Sequence, residues 1–253
     1  MNETTDRVAG LTAKGRATRE RIVEAAAELM HAEGFQGATN EEVRAAAAIS
    51  GSQLGHYFPD KESLVRAVIA HRADQVVVIG RAPVSPGEGG TVAAGARGAP
   101  GVPGAPGDGL ALLDSISRLR QWADFYLERE EVCLTGCRFG SLASDVLKSD
   151  LDVRDDISTG FSRWADVFRD GLAAMRDRGE LRADAEPERL AYVLLAAFQG
   201  GMLLTQAQRS IAPLRASLGG AIDYIATFLH PSDPTAPSTS IAPSNSITPS
   251  NPT

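Results

Sequence analysis

Thr39-Asn-Glu-Glu-Val-Arg-Ala-Ala-Ala-Ala-Ile-Ser-Gly-Ser-Gln-Leu-Gly-His-Tyr-Phe-Pro-Asp-Lys61 holds two short helical patterns on either side of a tight turn. Thr39 and Glu42 have the spacing of a capping box, in which a hydroxyl and a carboxylate satisfy free backbone N–H groups reciprocally. The helix they start runs to Ala48. The turn lies at Ala48-Ile49-Ser50, and Ser50–Phe58 is a second helix, closed by Pro59-Asp60. This is the spacing of a helix-turn-helix. Val43, Ala46, Ala47, Ile49, Leu54 and Phe58 supply a small core, and the small residues around Ala45–Ala48 let the two helices approach. Ser52, Gln53, His56 and Tyr57 are left outside, all hydrogen-bonding and none negative. Gln and Ser suit base edges, whereas Tyr and His suit phosphate oxygens. The same spacing also fits a plain helical hairpin with a polar solvated face.

Outward from this segment the pattern stays helical. Thr18–Glu33 places Ile22, Ala25, Ala26, Leu29 and Met30 on one stripe. Gly34 closes that helix in the left-handed cap position, and Phe35 folds back onto it. Lys61–Ile79 is a longer helix. Further helices are expected at about 110–130, 138–148, 152–178, 187–209 and 211–229, and no stretch alternates with period two. The fold class is therefore all-α. Two segments break the pattern. Residues 81–109 contain 9 Gly, 5 Pro and 6 Ala, with collagen-like triplets over Gly98–Pro106, so residues 80–109 are expected to be a flexible linker. Residues 231–253 are rich in Pro and Ser, repeat Ile241-Ala-Pro-Ser-Asn as Ile247-Thr-Pro-Ser-Asn, and are expected to be a disordered tail.

With 253 residues, 43% of them apolar, the chain can form one large or two modest domains without staples. The longest uninterrupted apolar runs fall well short of the roughly 20 residues that span a bilayer. The first residues are polar and acidic, unlike a secretory signal. Two cysteines do not make a disulfide framework. The expectation is a soluble cytoplasmic protein. Its net charge of −7 is concentrated after residue 72, and Lys14 to Arg21 is locally basic, yet charge alone does not choose the partner.

Thr18-Arg-Glu-Arg-Ile-Val-Glu-Ala-Ala-Ala-Glu-Leu-Met, Gly34-Phe-Gln-Gly-Ala-Thr and Ile49-Ser-Gly-Ser-Gln-Leu-Gly-His-Tyr-Phe-Pro-Asp-Lys-Glu-Ser-Leu64 together resemble the N-terminal domain of the tetracycline-repressor (TetR) family over residues 16–79. Gly136-Cys-Arg-Phe-Gly-Ser-Leu-Ala-Ser144 and Gly200-Gly-Met-Leu-Leu204 are similar to the C-terminal domain of a drug-responsive subgroup that includes lincomycin-resistance repressors. The resemblance implies an all-helical homodimer, a helix-turn-helix at 39–58, and a ligand-binding and dimerisation domain at 110–230. Thr39, Lys61 and Tyr57 match phosphate-contacting positions, while Ser52 and Gln53 match positions facing bases. Asn40, Ser50, Gly51 and His56 complete the candidate DNA-binding set, joined by Arg16 and Arg19 from the preceding helix. Gly51 stands where the family often has Lys, and Gly55 where it usually has Tyr. Each glycine weakens a helix by about 0.5–1 kcal/mol relative to Ala. The recognition helix is thus expected to order fully only on DNA, with Lys14, Arg16, Arg19 or Arg21 supplying phosphate attraction.

In the C-terminal half, Trp122, Phe125, Tyr126, Phe139 and Phe161 are candidates for an apolar ligand pocket. Trp164, Phe168 and Met202 join them, with Gln199 and Gln206 as polar handles; single aromatics serve equally well as core. The last two helices are expected to pair with their symmetry mates in a four-helix dimer interface.

No catalytic or metal site is expected. Cys133 and Cys137 lack a His cluster and read as buried thiols or a thiol sensor. Asp150, Asp152, Asp155 and Asp156 read as a solvated helix start. Gly87-Glu-Gly-Gly-Thr lacks the Lys-Ser/Thr of a phosphate loop. The expected function is a ligand-responsive regulator without cofactor or enzymatic activity, released from a palindromic double-stranded operator by a small hydrophobic inducer. The rival reading is a helical small-molecule-binding protein whose DNA binding is weakened or lost.

Overall fold

Thr12 starts the first helix earlier than the apolar stripe suggested, because its Oγ1 accepts the Gly15 N–H at 3.1 Å. The computed structural model describes residues 10–81 and 113–230, so the expected linker beyond Arg81, the expected tail and the Gly87 loop lie outside the described residues. Helix α1 spans Ala13–Gly37 and buries Ile22, Val23, Ala26, Ala27 and Met30. At Gly34 the backbone turns to φ 77°, ψ 168°. That positive φ suits glycine, but the ψ is not that of a left-handed cap; the helix kinks there and resumes. The kink folds Phe35 back into the core, where it is buried.

Helix α2 (Asn40–Ala46) opens with the expected capping box: Thr39 N–H donates to Glu42 Oε2 at 2.8 Å and Glu42 N–H to Thr39 Oγ1 at 3.3 Å. Ala48 makes the turn with φ 49°, and α3 follows as Gly51–Tyr57. Val43, Ala47, Leu54 and Phe58 are buried as expected, Ile49 is half-buried, and Ala46 faces solvent instead. Asp60 caps α4 (Lys61–Arg81) by accepting the Ser63 N–H at 2.7 Å. Leu64, Val65, Val68, Ile69 and Ala73 form its buried stripe.

The C-terminal bundle comprises α5 (Ile116–Leu127), the one-turn α6 (Glu130–Cys133), α7 (Arg138–Val146), α8 (Arg154–Asp177), α9 (Pro187–Gln208) and α10 (Ala212–Ala226). The one-turn α6 was not expected, since four residues carry no readable period. Among the described residues there is no strand, only an isolated antiparallel bridge between Leu181 and Leu229. Gly171 lets the segment before α5 cross α8 closely: a Cβ there would lie 2.3 Å from the Leu113 carbonyl oxygen. Trp122, Trp164, Phe168 and Phe198 form the bundle's centre, with edge-on ring contacts at 5.0 and 5.2 Å. Helix α9 is apolar and long enough, by length and composition, to cross a membrane, which the uninterrupted runs did not suggest. It is instead the core helix of the bundle, packed against α8 and α10. Tyr192, Leu203 and Leu204 of α9 remain exposed, with Tyr224 of α10.

Helix α4 joins the two halves. One side packs on α1, and the other on α7 and α8. The aspartates read as a solvated helix start are partly used here. Asp156, in the first turn of α8, pairs with Arg66 of α4; the Asp152 carbonyl accepts a second N–H of Arg66, and Asp152 N–H donates to Glu62 Oε2 at 3.4 Å. The cluster thus clamps α4 to the C-terminal bundle.

Candidate functional site

The candidate reading helix α3 carries a second capping box. Ser50 N–H donates to Gln53 Oε1 at 2.9 Å, and Gln53 N–H to Ser50 Oγ at 3.2 Å. Four backbone N–H groups start every helix without an intrahelical partner, so on seven residues the cap decides whether the helix forms. This qualifies the expectation of a helix ordered only on DNA. The Gln53 carbonyl oxygen is committed to the cap, and its NH2 alone stays open. Ser52 and His56 are exposed, Asn40 and Thr39 are exposed at the start of α2, and Tyr57 is half-buried with its ring edge against His56. The Ser-x-x-Gln signal was present in the sequence.

The cations are placed differently from expectation. Lys61 donates from Nζ to the Ala38 carbonyl and sits 5.5 Å from the centre of the Phe35 ring. Arg19 is half-buried over the Phe58 ring at 5.1 Å, and Arg21 donates to the Ala47 carbonyl at 3.0 Å. Arg16 is exposed and donates to the Leu11 carbonyl at 2.6 Å. Ala38 and Ala47 follow the C-terminal ends of α1 and α2, where carbonyls lack intrahelical partners, and Lys61 and Arg21 cover them. Arg44, at the end of α2, was missed. Its exposed guanidinium lies 3.6 Å from where a Gly51 Cβ would stand. A Cβ on Gly55 would meet nothing within 4 Å.

A second site lies where α1 and α4 meet the C-terminal bundle, a cavity of ≈ 110 Å³ behind an open mouth. Of the expected ligand residues, Phe125, Tyr126, Phe139, Trp164 and Met202 line it, with Phe198. The other five do not. Trp122 and Phe168 are buried in the ring cluster behind it, and Phe161 packs on Phe139 at 4.7 Å between ring centres. Gln199 and Gln206 turn away to brace the loop before α7, donating to Cys137 Sγ at 3.5 Å and to the Thr135 carbonyl at 3.1 Å. Their seven-residue spacing keeps them together on one face, which lines a second, more open pocket with Gly140, Ser141, Ser144 and Leu203 rather than this cavity. Cys133 and Cys137 both line the cavity wall. Burial pushes the Cys133 thiol up to about 11 and raises Cys137 as well, so neither is a reactive thiolate at neutral pH.

The polar side of the cavity was not foreseen. Glu28 of α1, Arg72 and Gln75 of α4, and Arg138 of α7 converge on it. Arg72, only 3% exposed, donates to Glu28 Oε1 at 2.9 Å and to Gln75 Oε1 at 2.8 Å. Arg138 donates to the same Glu28 oxygen. The two guanidiniums hold the Glu28 carboxyl below its ordinary value against the opposing effect of burial. His31 and His71 beside them are pushed down, first by burial and then by these arginines, and stay neutral at pH 7.

A capped helix-turn-helix, joined by one continuous helix to a bundle that holds a cavity, defines a class: helical DNA-binding regulators with a separate effector domain. The model of bacterial regulatory proteins of the tetR family matches residues 22–68, and that of the tetracyclin repressor-like C-terminal domain matches residues 115–219, together more than half of the chain. The chain belongs to the TetR family of DNA-binding transcriptional regulators. No curated protein matches it in sequence. Its fold is similar to that of a TetR transcriptional regulator from Chloroflexus aurantiacus, at 20% identity and TM-score 0.64, covering 86% of this chain and 98% of that one. It is similar too to the regulatory protein TetR from Rhodobacter sphaeroides, at 18% identity and TM-score 0.60, covering 80% and 96%. Reduced NemR of E. coli aligns at 21% identity and TM-score 0.58, covering 82% and 96%.

Proposed function

We propose that the protein is a homodimeric repressor, acting in the cytoplasm, that leaves a palindromic operator when a small apolar effector enters the cavity. One observation carries the reading. Helix α4 is continuous from Lys61, beside the candidate reading helix, to Arg72, Gln75 and Val76 on the cavity wall. A ligand that prefers one position of this helix shifts the reading helices by its differential affinity for the two states. The exposed Tyr192, Leu203 and Leu204 support a dimer interface built from α9, with Tyr224 adding α10. We place Ser52, His56, the Gln53 amide and Tyr57 in the major groove. Asn40, Thr39, Ser50, Lys61, Arg16 and Arg19 stand at or near phosphates, and Arg44 extends over bare Gly51. No cofactor and no catalytic step enter this reading.

The test is fluorescence anisotropy with the DNA upstream of the protein's own gene. A repressor binds it and weakens steeply with salt, and Arg44→Ala lowers the slope of log affinity against log salt by about 1. The rival is a ligand-binding protein that has lost its DNA. It is favoured by the internal commitment of Lys61, Arg19 and Arg21. Salt-independent or undetectable binding to that DNA selects it.

A further inference from the structure

We infer that the effector is an organic anion, an apolar body carrying one carboxylate, and that its carboxylate takes Arg138 away from Glu28. The inference rests on the cavity being the effector site. Three guanidiniums line the cavity (Arg72, Arg129 and Arg138) against two carboxylates, Glu24 and Glu28. Arg129 is held over the Phe125 ring at 3.8 Å and donates to the Phe125 carbonyl, and Glu24 is exposed at the edge. The inner polar wall therefore consists of two guanidiniums on one carboxylate, and both bonds fall on the single oxygen Oε1 of Glu28. Beside them lie the rings of Tyr126, Phe139, Trp164 and Phe198. Arg72 is buried against that apolar wall while the Arg138 side chain stays 31% exposed toward the mouth, so the excess positive charge is within reach of an entering carboxylate, which guanidinium forks pair in a bidentate way. Arg72 makes one hydrogen bond to protein from each of Nη1 and Nη2, leaving donors in hand.

The geometry links this binding to DNA. Glu28 belongs to α1 of the DNA-reading half and Arg138 to α7 of the ligand half, 110 residues apart in sequence. A ligand carboxylate on Arg138 removes that tie across the interface, leaving Glu28 on Arg72. The anion is thus a competitor of an internal carboxylate, and its binding energy is expressed as loosening of α1 from α7.

Calorimetric titration of the full chain, without DNA, compares 2-naphthoate with 2-naphthamide, which has the same rings and no charge. Naphthoate is expected to bind at least about tenfold more tightly, the scale of one charge-assisted pair. Arg138→Met is expected to remove that preference, bringing naphthoate down to the affinity of the amide. Glu28→Gln, which deletes the internal competitor, tightens naphthoate binding several-fold. Arg72 is buried and half-buried Glu28 pairs with it, so Arg138 carries the test, and a thermal melt checks that the variant is folded. Equal or tighter binding of the amide overturns the inference. So does failure of naphthoate to bind at millimolar concentration, or a preference that survives Arg138→Met. Because the titration contains no DNA, it is independent of the operator experiment: loss of operator binding alone sinks the repressor reading, and loss of carboxylate preference alone sinks this one.

Discussion

The two ends of α4 handle charge in opposite ways. At its N-terminus Lys61, Arg19 and Arg21 are bound to carbonyls or a ring face, and the outward surface of α3 is left to small polar side chains and bare glycines. Eleven residues beyond Lys61, Arg72 is driven into the interior and held there by Glu28, beside aromatic rings. The reading helix is capped by contacts three residues apart in sequence, whereas the buried end is held by contacts 44 and 110 apart. The first is a surface that can be altered without unsettling the fold. The second is a wall on which binding and stability share the same atoms.

The largest expected effect follows from that sharing. Phe198→Ala removes a ring that is 2% exposed and touches Trp122, Tyr126 and Trp164 at centre distances of 5.6, 4.7 and 5.2 Å. Deleting a buried Phe costs about 3–5 kcal/mol, transfer and cavity together. A denaturant titration should show the unfolding free energy in water falling by that amount. A loss below about 1 kcal/mol would mean that the wall collapses freely and the cavity is not rigid.

At the other end the effects are smaller and separate from the core. Ser50→Ala removes the hydroxyl that accepts the Gln53 N–H at 3.2 Å. Loss of an N-cap costs about 1 kcal/mol. Because α3 is only seven residues long, the loss should appear locally, as faster amide exchange in Gly51–Tyr57 with little change in the C-terminal bundle. If exchange accelerates equally throughout, the two halves are one cooperative unit and the contrast between them fails.

Gly55 reverses the sign. Its absent Cβ would meet nothing within 4 Å, so Gly55→Ala should stabilise α3 by about 0.5–1 kcal/mol through helix propensity alone. Gly55→Tyr should in addition tighten operator binding in anisotropy by restoring a side chain to the outward face. Weaker binding would mean that the bare backbone approaches the duplex closely.

The same contrast decides what could be read in advance. The helix-turn-helix, its core of Val43, Ala47, Leu54 and Phe58, and the Thr39–Glu42 cap were legible because each depends on residues within a few positions of one another. The Ser50–Gln53 cap was equally local, but Gln53 had been assigned to the DNA, and one side chain was given a single role. The cavity's aromatic lining was half legible: helical period identifies a buried face, not which buried ring borders a void. Its polar wall was not legible, since Glu28 and Arg138 pair only after the two halves dock. One trace existed, for Arg72 follows Leu64 and Val68 at four-residue spacing on the buried stripe of α4, and an arginine there needs a partner.

The smallest expected effect is a pH dependence confined to the buried end. His31 and His71 have folded values below the ordinary 6.5, lowered first by burial and next by Arg138 or Arg72. A proton added below pH 6.5 therefore binds the unfolded chain more readily than the folded one. Stability should be flat above about pH 7 and fall as pH drops from there toward 5, before ordinary carboxylates begin to titrate. His31→Asn combined with His71→Asn should flatten that limb in thermal melts. Arg138→Met should shallow it too, because removing the guanidinium removes one of the causes that depress His31. A limb unchanged in both variants would place the acid-sensitive group elsewhere, and would break the link between the buried arginines and the neutral histidines that face them.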